Sequence, residues 1–203
     1  MFKEKLHKKL YSALEEYKFE SPTPLQAQCI SKINSGSDLI GIAPDGSGKS
    51  TLIVIAALQK LQQVVDDAPK VLIVAGSPDK GRLMQEQFEQ FTKETDLRIN
   101  TAFEDGNIID QNTRIYEGTD ILIGTTKRLL DLYFASSLNL KKIKLFAIDD
   151  AELIIKSSWQ GQMDRLAASL PKCQHLVFTT DLTEKVEKLI HKFIVAPHIV
   201  EIE

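Results

Sequence analysis

The stretch DLIGIAPDGSGKST, residues 38–51, joins a short apolar run to a long one through a glycine-containing loop. Residues 43–50 fit the phosphate-loop pattern G-x-x-x-x-G-K-[ST], except that Ala43 replaces the first glycine. A strand is expected before this loop, at 38–43, and a helix after it, at 48–63, which is the context that the pattern requires. The stretch therefore predicts an α/β fold that binds a nucleotide by its phosphates. The alternative is a glycine-rich turn with an incidental lysine.

The residue types of this loop suit phosphate binding. Glycines at 46 and 48 let backbone N–H groups turn toward phosphate oxygens, and the following helix directs its positive dipole end at the same oxygens. We expect Lys49 to reach the β and γ phosphates and Ser50 to offer its hydroxyl to Mg²⁺. Asp45 is the exception, because a carboxylate beside an anion costs roughly 1 kcal/mol in water. The predicted nucleotide-binding residues of the loop are Ala43, Gly46, Ser47, Gly48, Lys49, Ser50 and Thr51.

Apolar segments alternate with amphipathic ones along the whole chain, and this order predicts strand and helix in turn. The strands read as continuous apolar runs, which is typical of a mostly parallel sheet sandwiched by helices. One domain, 1–203, is expected, with residues 1–36 as N-terminal helices. The predicted strands are 38–43, 70–76, 98–103, 120–124, 143–150, 174–180 and 198–203. The predicted helices are 2–17, 25–33, 48–63, 81–94 (with Leu83, Met84, Phe88 and Phe91 on one face), 126–136, 159–170 and 183–194.

The composition limits the classes of protein. Of the 203 residues, 43% are hydrophobic and 26% are charged, which is typical of a globular domain. The formal net charge of −3 gives no overall basic field, so contact with nucleic acid requires a local patch. No apolar run approaches the roughly 18 residues of a membrane span. We expect a cytoplasmic protein without a membrane partner.

Acidic residues follow the apolar run LFAI, at 149–152 in the sequence DDAE. In phosphate-loop enzymes an acid at such a strand end holds Mg²⁺, and a neighbouring acid positions the attacking water. We therefore predict Asp149 as the metal ligand together with Ser50, and Asp150 as the residue that orients water. The alternative for either acid alone is a carboxylate cap on the next helix.

Together these segments resemble the first RecA-like domain of the DEAD-box ATP-dependent RNA helicases, in the same order and over nearly the whole chain. The resemblance implies that Gln26 hydrogen-bonds the adenine edge and that Phe19 packs on the adenine ring. It further implies a second RecA-like domain, in cis or in trans, that carries arginine fingers and half of an RNA groove. The matching segments are FESPTPLQ (19–26) for the Q motif, APDGSGKS (43–50) for motif I, TTKRLLDL (125–132) for TPGRL, DDAE (149–152) for DEAD and LPKCQHLVFTTD (170–181) for the run into SAT.

The departures from the family pattern fall mainly on RNA contact and coupling. GSPDK (76–80) replaces PTREL, so an arginine that faces nucleic acid is lost. Only Asp105-Gly106 stands for the next pair of glycines. Asp150 replaces the glutamate of DEAD with a side chain one methylene shorter. The other replacements are Thr126 and Lys127 in TPGRL, Glu152 for the last aspartate of DEAD, and Asp181 for the threonine of SAT.

The resemblance implies the ATP-binding half of an RNA helicase, with ATP and Mg²⁺ as cofactors and Lys49, Asp149 and Asp150 as catalytic residues. RNA, bound weakly by this chain alone, would cross Thr125, Lys127 and Arg128, although Arg128 also fits a simple helix-surface charge. The first alternative is a degenerate ATP-sensing module with little turnover, which the altered motifs favour. The second is a phosphate-loop ATPase that acts on something other than nucleic acid.

Overall fold

The computed structural model describes residues 6, 8–16, 19, 21–61, 68–156 and 159–203. Within these ranges the strands are β1 (Leu39–Ile42), β2 (Val71–Ala75), β3 (Ile99–Ala102), β4 (Ile121–Thr125), β5 (Leu145–Ile148), β6 (Gln174–Thr179) and β7 (His198–Glu201). The helices are α1 (Lys8–Glu16), α2 (Pro24–Asn34), α3 (Lys49–Lys60), α4 (Pro78–Phe91), α5 (Ile108–Glu117), α6 (Thr126–Phe134), α7 (Ala151–Lys156), α8 (Gln160–Ala168) and α9 (Glu184–Ile190). None of these described helices is long and apolar enough to cross a membrane.

The seven described strands form one sheet in the order β3-β4-β2-β5-β6-β1-β7, and every neighbouring pair is parallel. The register of β1 places Leu39 opposite Leu176 of β6 and Ile42 opposite Thr179. Parallel neighbours require crossover connections, and the helices supply them. The prediction of a parallel α/β sheet is confirmed, and all seven predicted strands are present.

Each face of the sheet is buried under helices because successive strand residues point to opposite sides. In β2, Leu72 packs with side chains of α5 to α9, whereas Ile73 packs with side chains of α2 to α4. Helix α1 lies outside the second layer, where Leu10 and Leu14 contact Ile55. This two-sided burial explains why the strands read as continuous apolar runs.

The strand order decides which loops meet. The carboxyl ends of β2, β5, β6 and β1 lie side by side, so the loop after β1 stands two strands away from the acidic end of β5. The loops after β3 and β4 lie beyond β2, on the other half of the same edge. Ligands of open parallel sheets bind at this edge where the strand order reverses.

The helices differ from the predictions in several places. Helices α5 and α7 were not predicted: α5 buries only Gln111 and Ile115, and α7 has six residues. Helix α4 starts at Pro78 rather than 81, because the side chain of Ser77 caps it. Leu83 was expected on the buried face of α4 but is 60% exposed. Residues 2–5, 7 and 17 of the first predicted helix, and 62–63 of the third, lie outside the described residues.

We expect Phe88→Ala to lower the free energy of unfolding by about 3–5 kcal/mol, because Phe88 is 0% exposed and its loss leaves a cavity under the sheet. Leu83→Ala, five residues away on the same helix, is the matched control and should change it by about 0.5 kcal/mol or less. Urea unfolding of both variants measures the difference. Equal losses would contradict the assignment of Leu83 to the exposed face.

Candidate functional site

The site is built at the carboxyl ends of β1, β5 and β6. The amide of Ala43, just after β1, donates to the carbonyl of Thr179 at the end of β6 with an N···O distance of 3.1 Å. The amide of Asp149, just after β5, donates to the carbonyl of Val74 in β2 at 2.9 Å. These ladder bonds extend the sheet to the site and fix the loops that leave it.

The phosphate loop, residues 43–50, depends on two glycines in left-handed backbone. Gly46 has φ +80° and Gly48 has φ +88°, a region in which a Cβ atom is unfavourable. A Cβ on Gly48 would also lie 2.4 Å from Nε2 of Gln26. The hydroxyl of Ser47 is buried without a hydrogen-bond partner among the described residues. The two glycines therefore allow backbone N–H groups to point into the loop, and the hydroxyl of Ser47 is left without a hydrogen-bond partner among the described residues.

The start of α2 is hydrogen-bonded to the phosphate loop. Oγ1 of Thr23 donates to the carbonyl of Ser47 at 2.7 Å, and Nε2 of Gln26 donates to the carbonyl of Gly48 at 3.3 Å. Thr23 and Gln26 also cap α2 reciprocally as a capping box. These bonds occupy two loop carbonyls from outside the loop. The predicted contact of Gln26 with adenine stays a prediction, and the structure adds its role as a support of the loop.

Lys49 crosses the inside of the loop. Its Nζ donates to the carbonyl oxygens of Ala43 at 2.7 Å and Pro44 at 3.1 Å, and the residue is 5% exposed. The carboxylate of Asp45 lies 3.7 Å from Nζ of Lys49 and 3.8 Å from Nζ of Lys80. Asp45, the one acidic residue of the phosphate loop, is thus flanked by the ammonium groups of Lys49 and Lys80.

Ser50 and Asp149 meet across the site, as expected for a shared metal ion. Oγ of Ser50 donates to Oδ2 of Asp149 at 2.5 Å, and Oδ1 of Asp149 is buried without a partner among the described residues. Burial raises the pKa of Asp149 to about 6, with the charge of Asp150 adding to the shift. Mg²⁺ prefers oxygen ligands and is usually held by one or two protein groups together with substrate phosphates. The unsatisfied oxygen and the hydroxyl beside it fit Mg²⁺.

Asp150 is buried and paired with a lysine that the sequence analysis did not single out. Its Oδ2 accepts a hydrogen bond from Nζ of Lys80 at 2.5 Å. The backbone of Asp150 has φ +59°, a region that aspartate tolerates better than most residues. Burial lowers the pKa of Lys80, but the hydrogen bond and the charge of Asp150 outweigh it and leave the pKa above its usual value.

Glu152 links the acidic strand end to the end of β6. Its carboxylate accepts hydrogen bonds of 2.7 Å from the hydroxyls of both Thr179 and Thr180. Burial raises the pKa of Glu152, but these hydroxyls outweigh it and hold the pKa below its usual value. The longer side chain at 152 therefore connects the two segments that resemble DEAD and SAT.

The three predicted RNA-contact residues all bond to protein groups. Arg128 is buried, and its guanidinium donates to the carbonyls of Glu104 and Gly106 at 3.0 Å each and to the side chain of Gln111. Lys127 pairs with Asp131 at 2.9 Å, and the hydroxyl of Thr125 donates to Glu104. Their contact with RNA stays a prediction, and for Arg128 the described position is structural, since it fixes the loop between β3 and α5.

The remaining predicted binding residues, Thr51 and Phe19, contact helices of the same chain. The hydroxyl of Thr51 donates to Gln87 of α4 at 3.3 Å. Phe19 is half-buried and packs against the cluster that contains Leu14. Sequence reasoning missed Lys80 and Thr23. The signal for Thr23 was its position three residues before Gln26, whereas Lys80 could be found only from the adjacency of β2 and β5.

Comparison with known proteins agrees with this geometry. The family model described as DEAD/DEAH box helicase matches residues 23–189. The chain is 28% identical over 197 residues to the probable ATP-dependent RNA helicase DDX46 of Danio rerio, covering 93% of this chain and 19% of that protein. It is 27% identical over 196 residues to the ATP-dependent RNA helicase DeaD of Escherichia coli strain K12, covering 96% and 31%.

Two solved structures share the fold. A DEAD box protein from the hyperthermophile Methanococcus jannaschii superposes with a TM-score of 0.88 at 20% identity, covering 97% of this chain and 54% of that one. The yeast DEAD-box splicing factor Prp28 gives 0.90 at 24% identity, covering 98% and 50%. The chain therefore spans about half of these structures and from 19% to 31% of the length of the two curated relatives.

We expect Asp149→Asn to stabilise the nucleotide-free protein at pH 8 by on the order of 3 kcal/mol. Folding raises the pKa of Asp149 from 3.8 to about 6, so the folded state binds this proton more tightly than the unfolded state. The resulting destabilisation is absent below about pH 4, grows between pH 4 and 6, and is constant above that range. The asparagine variant lacks this penalty.

Urea unfolding of parent and variant at pH 4, 5, 6 and 8 measures this difference. Asp96→Asn, which changes an exposed carboxylate, is the control and should show no comparable gain. A stability difference for Asp149→Asn that stays constant over this range would contradict the buried, proton-binding carboxyl.

Proposed function

Because this chain belongs to the DEAD/DEAH box helicase family, we propose that it is the ATP-binding domain of an ATP-dependent RNA helicase. In this proposal ATP hydrolysis is coupled to RNA binding and unwinding once a second RecA-like domain joins it. The observation that carries the proposal is the contact of Ser50 with Asp149 at 2.5 Å, beside an unsatisfied carboxylate oxygen. A hydroxyl from a phosphate loop and an acid from a strand end converge in this way where Mg²⁺ and nucleotide phosphates bind.

ATP is held by three groups of residues in this proposal. Backbone N–H groups of the phosphate loop and the start of α3 bind the phosphate oxygens. Lys49 leaves the carbonyls of Ala43 and Pro44 and donates to the β and γ phosphates. Gln26 and Phe19 bind the adenine, the amide by hydrogen bonds and the ring by packing. Since Gln26 already bonds to the carbonyl of Gly48, the same side chain would contact adenine and support the phosphate loop.

Hydrolysis requires an oriented water and compensation of negative charge. Ser50 and Asp149 would hold Mg²⁺, which supplies positive charge to the phosphates. Asp150 orients the attacking water, and its short side chain limits the rate, because a misplacement of roughly 1 Å costs on the order of 10²-fold. Glu152 connects this centre to Thr179 and Thr180, so the end of β6 responds to changes at the acidic strand end.

RNA and the second domain complete the proposal. RNA would lie along the loops after β2, β3 and β4, at the same edge as the nucleotide. A second RecA-like domain in cis or in trans would supply arginine fingers and the other half of the RNA groove, as the resemblance to the family implies. The net charge of −3 and the protein-bound state of Arg128 support weak RNA binding by this chain alone.

The second candidate is an ATP-sensing module with little turnover. The pairing of Lys127 with Asp131 favours it, because a cation expected to face RNA is engaged with a protein group. The two candidates share nucleotide binding and differ in hydrolysis. RNA-stimulated hydrolysis by the chain together with a second domain distinguishes them.

We expect the chain to bind ATP more tightly than GTP, and Lys49→Ala to weaken ATP binding tenfold or more. The loss of a charge-assisted contact to phosphate corresponds to about 1.5–3 kcal/mol. Isothermal titration of residues 1–203 with each nucleotide and Mg²⁺ measures both effects. Lys185→Ala, an exposed lysine of α9, is the control and should leave affinity unchanged.

Equal affinity for ATP and GTP would contradict the role of Gln26 and Phe19 without touching the phosphate site. Unchanged affinity of Lys49→Ala would contradict the phosphate site itself.

We expect residues 1–203 alone to hydrolyse ATP slowly and to leave RNA duplexes intact. An arginine finger is worth about 10³–10⁵ in rate, and the proposal places it in the second domain. Phosphate release is measured with and without RNA, first for the chain alone and then with a second RecA-like domain supplied in trans or fused. Rapid RNA-stimulated hydrolysis by the chain alone would contradict the proposal that a second domain is required for fast turnover.

A further inference from the structure

Lys80 reaches the acidic end of β5 from helix α4, which follows the neighbouring strand β2. It lies in the first turn of α4, and its backbone N–H donates to Oγ of Ser77 at 3.2 Å. Helix α4 follows β2, which pairs directly with β5, so the side chain reaches the acidic strand end across one strand spacing. A Cβ on Gly76 would lie 2.8 Å from Oδ2 of Asp150, which means that the glycine leaves room for this carboxylate at the end of β2.

The ammonium group of Lys80 lies between two carboxylates. Its Nζ lies 2.5 Å from Oδ2 of Asp150 and 3.8 Å from Oδ1 of Asp45. The side chain of Asp150 is 3% exposed, whereas that of Lys80 is 43% exposed. A buried carboxylate is costly unless it is paired and hydrogen-bonded. Lys80 supplies this pairing and keeps its stem accessible to solvent.

The neighbouring acids have separate partners. Asp149 accepts from the hydroxyl of Ser50, and Asp150 accepts from the ammonium of Lys80. A carboxylate is planar, so a short bond to one oxygen fixes the direction of the other. The left-handed backbone of Asp150, with φ +59°, sets the position from which the side chain leaves, and Lys80 sets where it ends.

We infer that Lys80 is a positioning residue for ATP hydrolysis, which holds the carboxylate of Asp150 in line with the phosphate loop. This inference rests on the proposed function, in which Asp150 orients the attacking water. Lys80 does not contact the reacting atoms in this role and acts through Asp150. Its Nζ also lies 3.8 Å from the exposed carboxylate of Asp45 in the phosphate loop.

A pair of phosphate mimics tests the inference without turnover. MgADP with aluminium fluoride resembles the phosphoryl group during attack by water, whereas MgADP with beryllium fluoride resembles ATP before attack. Binding energy that is used only in the transition state appears in the first complex and not in the second. The affinities of both complexes are measured by titration for residues 1–203 and for Lys80→Met, Lys80→Arg and the control Lys172→Met, which changes an exposed lysine before β6.

We expect Lys80→Met to weaken the aluminium fluoride complex about tenfold or more and to change the beryllium fluoride complex by about twofold or less. Lys80→Arg should recover most of the loss, because the guanidinium keeps a cation within reach of Asp150. Lys172→Met should match the parent. Equal weakening of both complexes, no weakening of either, or tighter binding of the aluminium fluoride complex by Lys80→Met would overturn the inference.

A double-mutant cycle of unfolding tests the pair even where nucleotide binding fails. Lys80→Met and Asp150→Asn should together cost less than the sum of the single changes, with a coupling of about fivefold or more in the unfolding equilibrium constant. Absence of coupling would overturn the inference. A parent chain that does not bind MgADP would contradict the proposed function, whereas the cycle would still decide whether Lys80 holds Asp150.

Discussion

The position of β6 between β1 and β5 sets the geometry of the whole site. Two strand spacings, roughly 10 Å, separate the phosphate loop from the acidic strand end. Side chains must span this gap, and they do so from both sides: Ser50 reaches Asp149 from the phosphate loop, and Glu152 reaches Thr179 at the end of β6. A sheet with β1 directly beside β5 would halve this spacing.

The sequence predicts local features well and the pairing between strands poorly. The continuous apolar runs predicted the five inner strands because burial on both faces leaves a strong signal, whereas the edge strands β3 and β7 are only partly buried. The phosphate loop was recognised because its backbone needs glycine at 46 and 48, and Asp149 because it ends an apolar strand. The contact of Lys80 with Asp150 depends on β2 lying beside β5, which no local pattern specifies. Helix α5 was missed because most of its surface faces solvent.

The two halves of the sheet's carboxyl edge, one around the phosphate loop and one around β3 and β4, differ in how many hydrogen bonds their polar groups already make. Around the phosphate loop, Ser47 and Asp149 each keep a buried oxygen without a partner among the described residues, which favours an external ligand. Around β3 and β4, Arg128 donates three hydrogen bonds to its own chain and Thr125 donates to Glu104. Ligands at the phosphate loop can satisfy these two oxygens, whereas the guanidinium of Arg128 already makes three hydrogen bonds and only its Nε is buried without a partner among the described residues.

The close approach of Gly48 to Gln26 has a consequence for how this site can evolve. A Cβ at 48 would come within 2.4 Å of Nε2 of Gln26, so an added side chain would have to displace this amide and its hydrogen bond to the carbonyl of Gly48. Mutations at the two positions are therefore coupled through this contact, and alanine at 48 in addition meets the left-handed backbone, with φ +88°. A lineage that replaces Gln26 by a smaller side chain removes this contact from its phosphate loop, whereas a lineage that keeps Gln26 retains it.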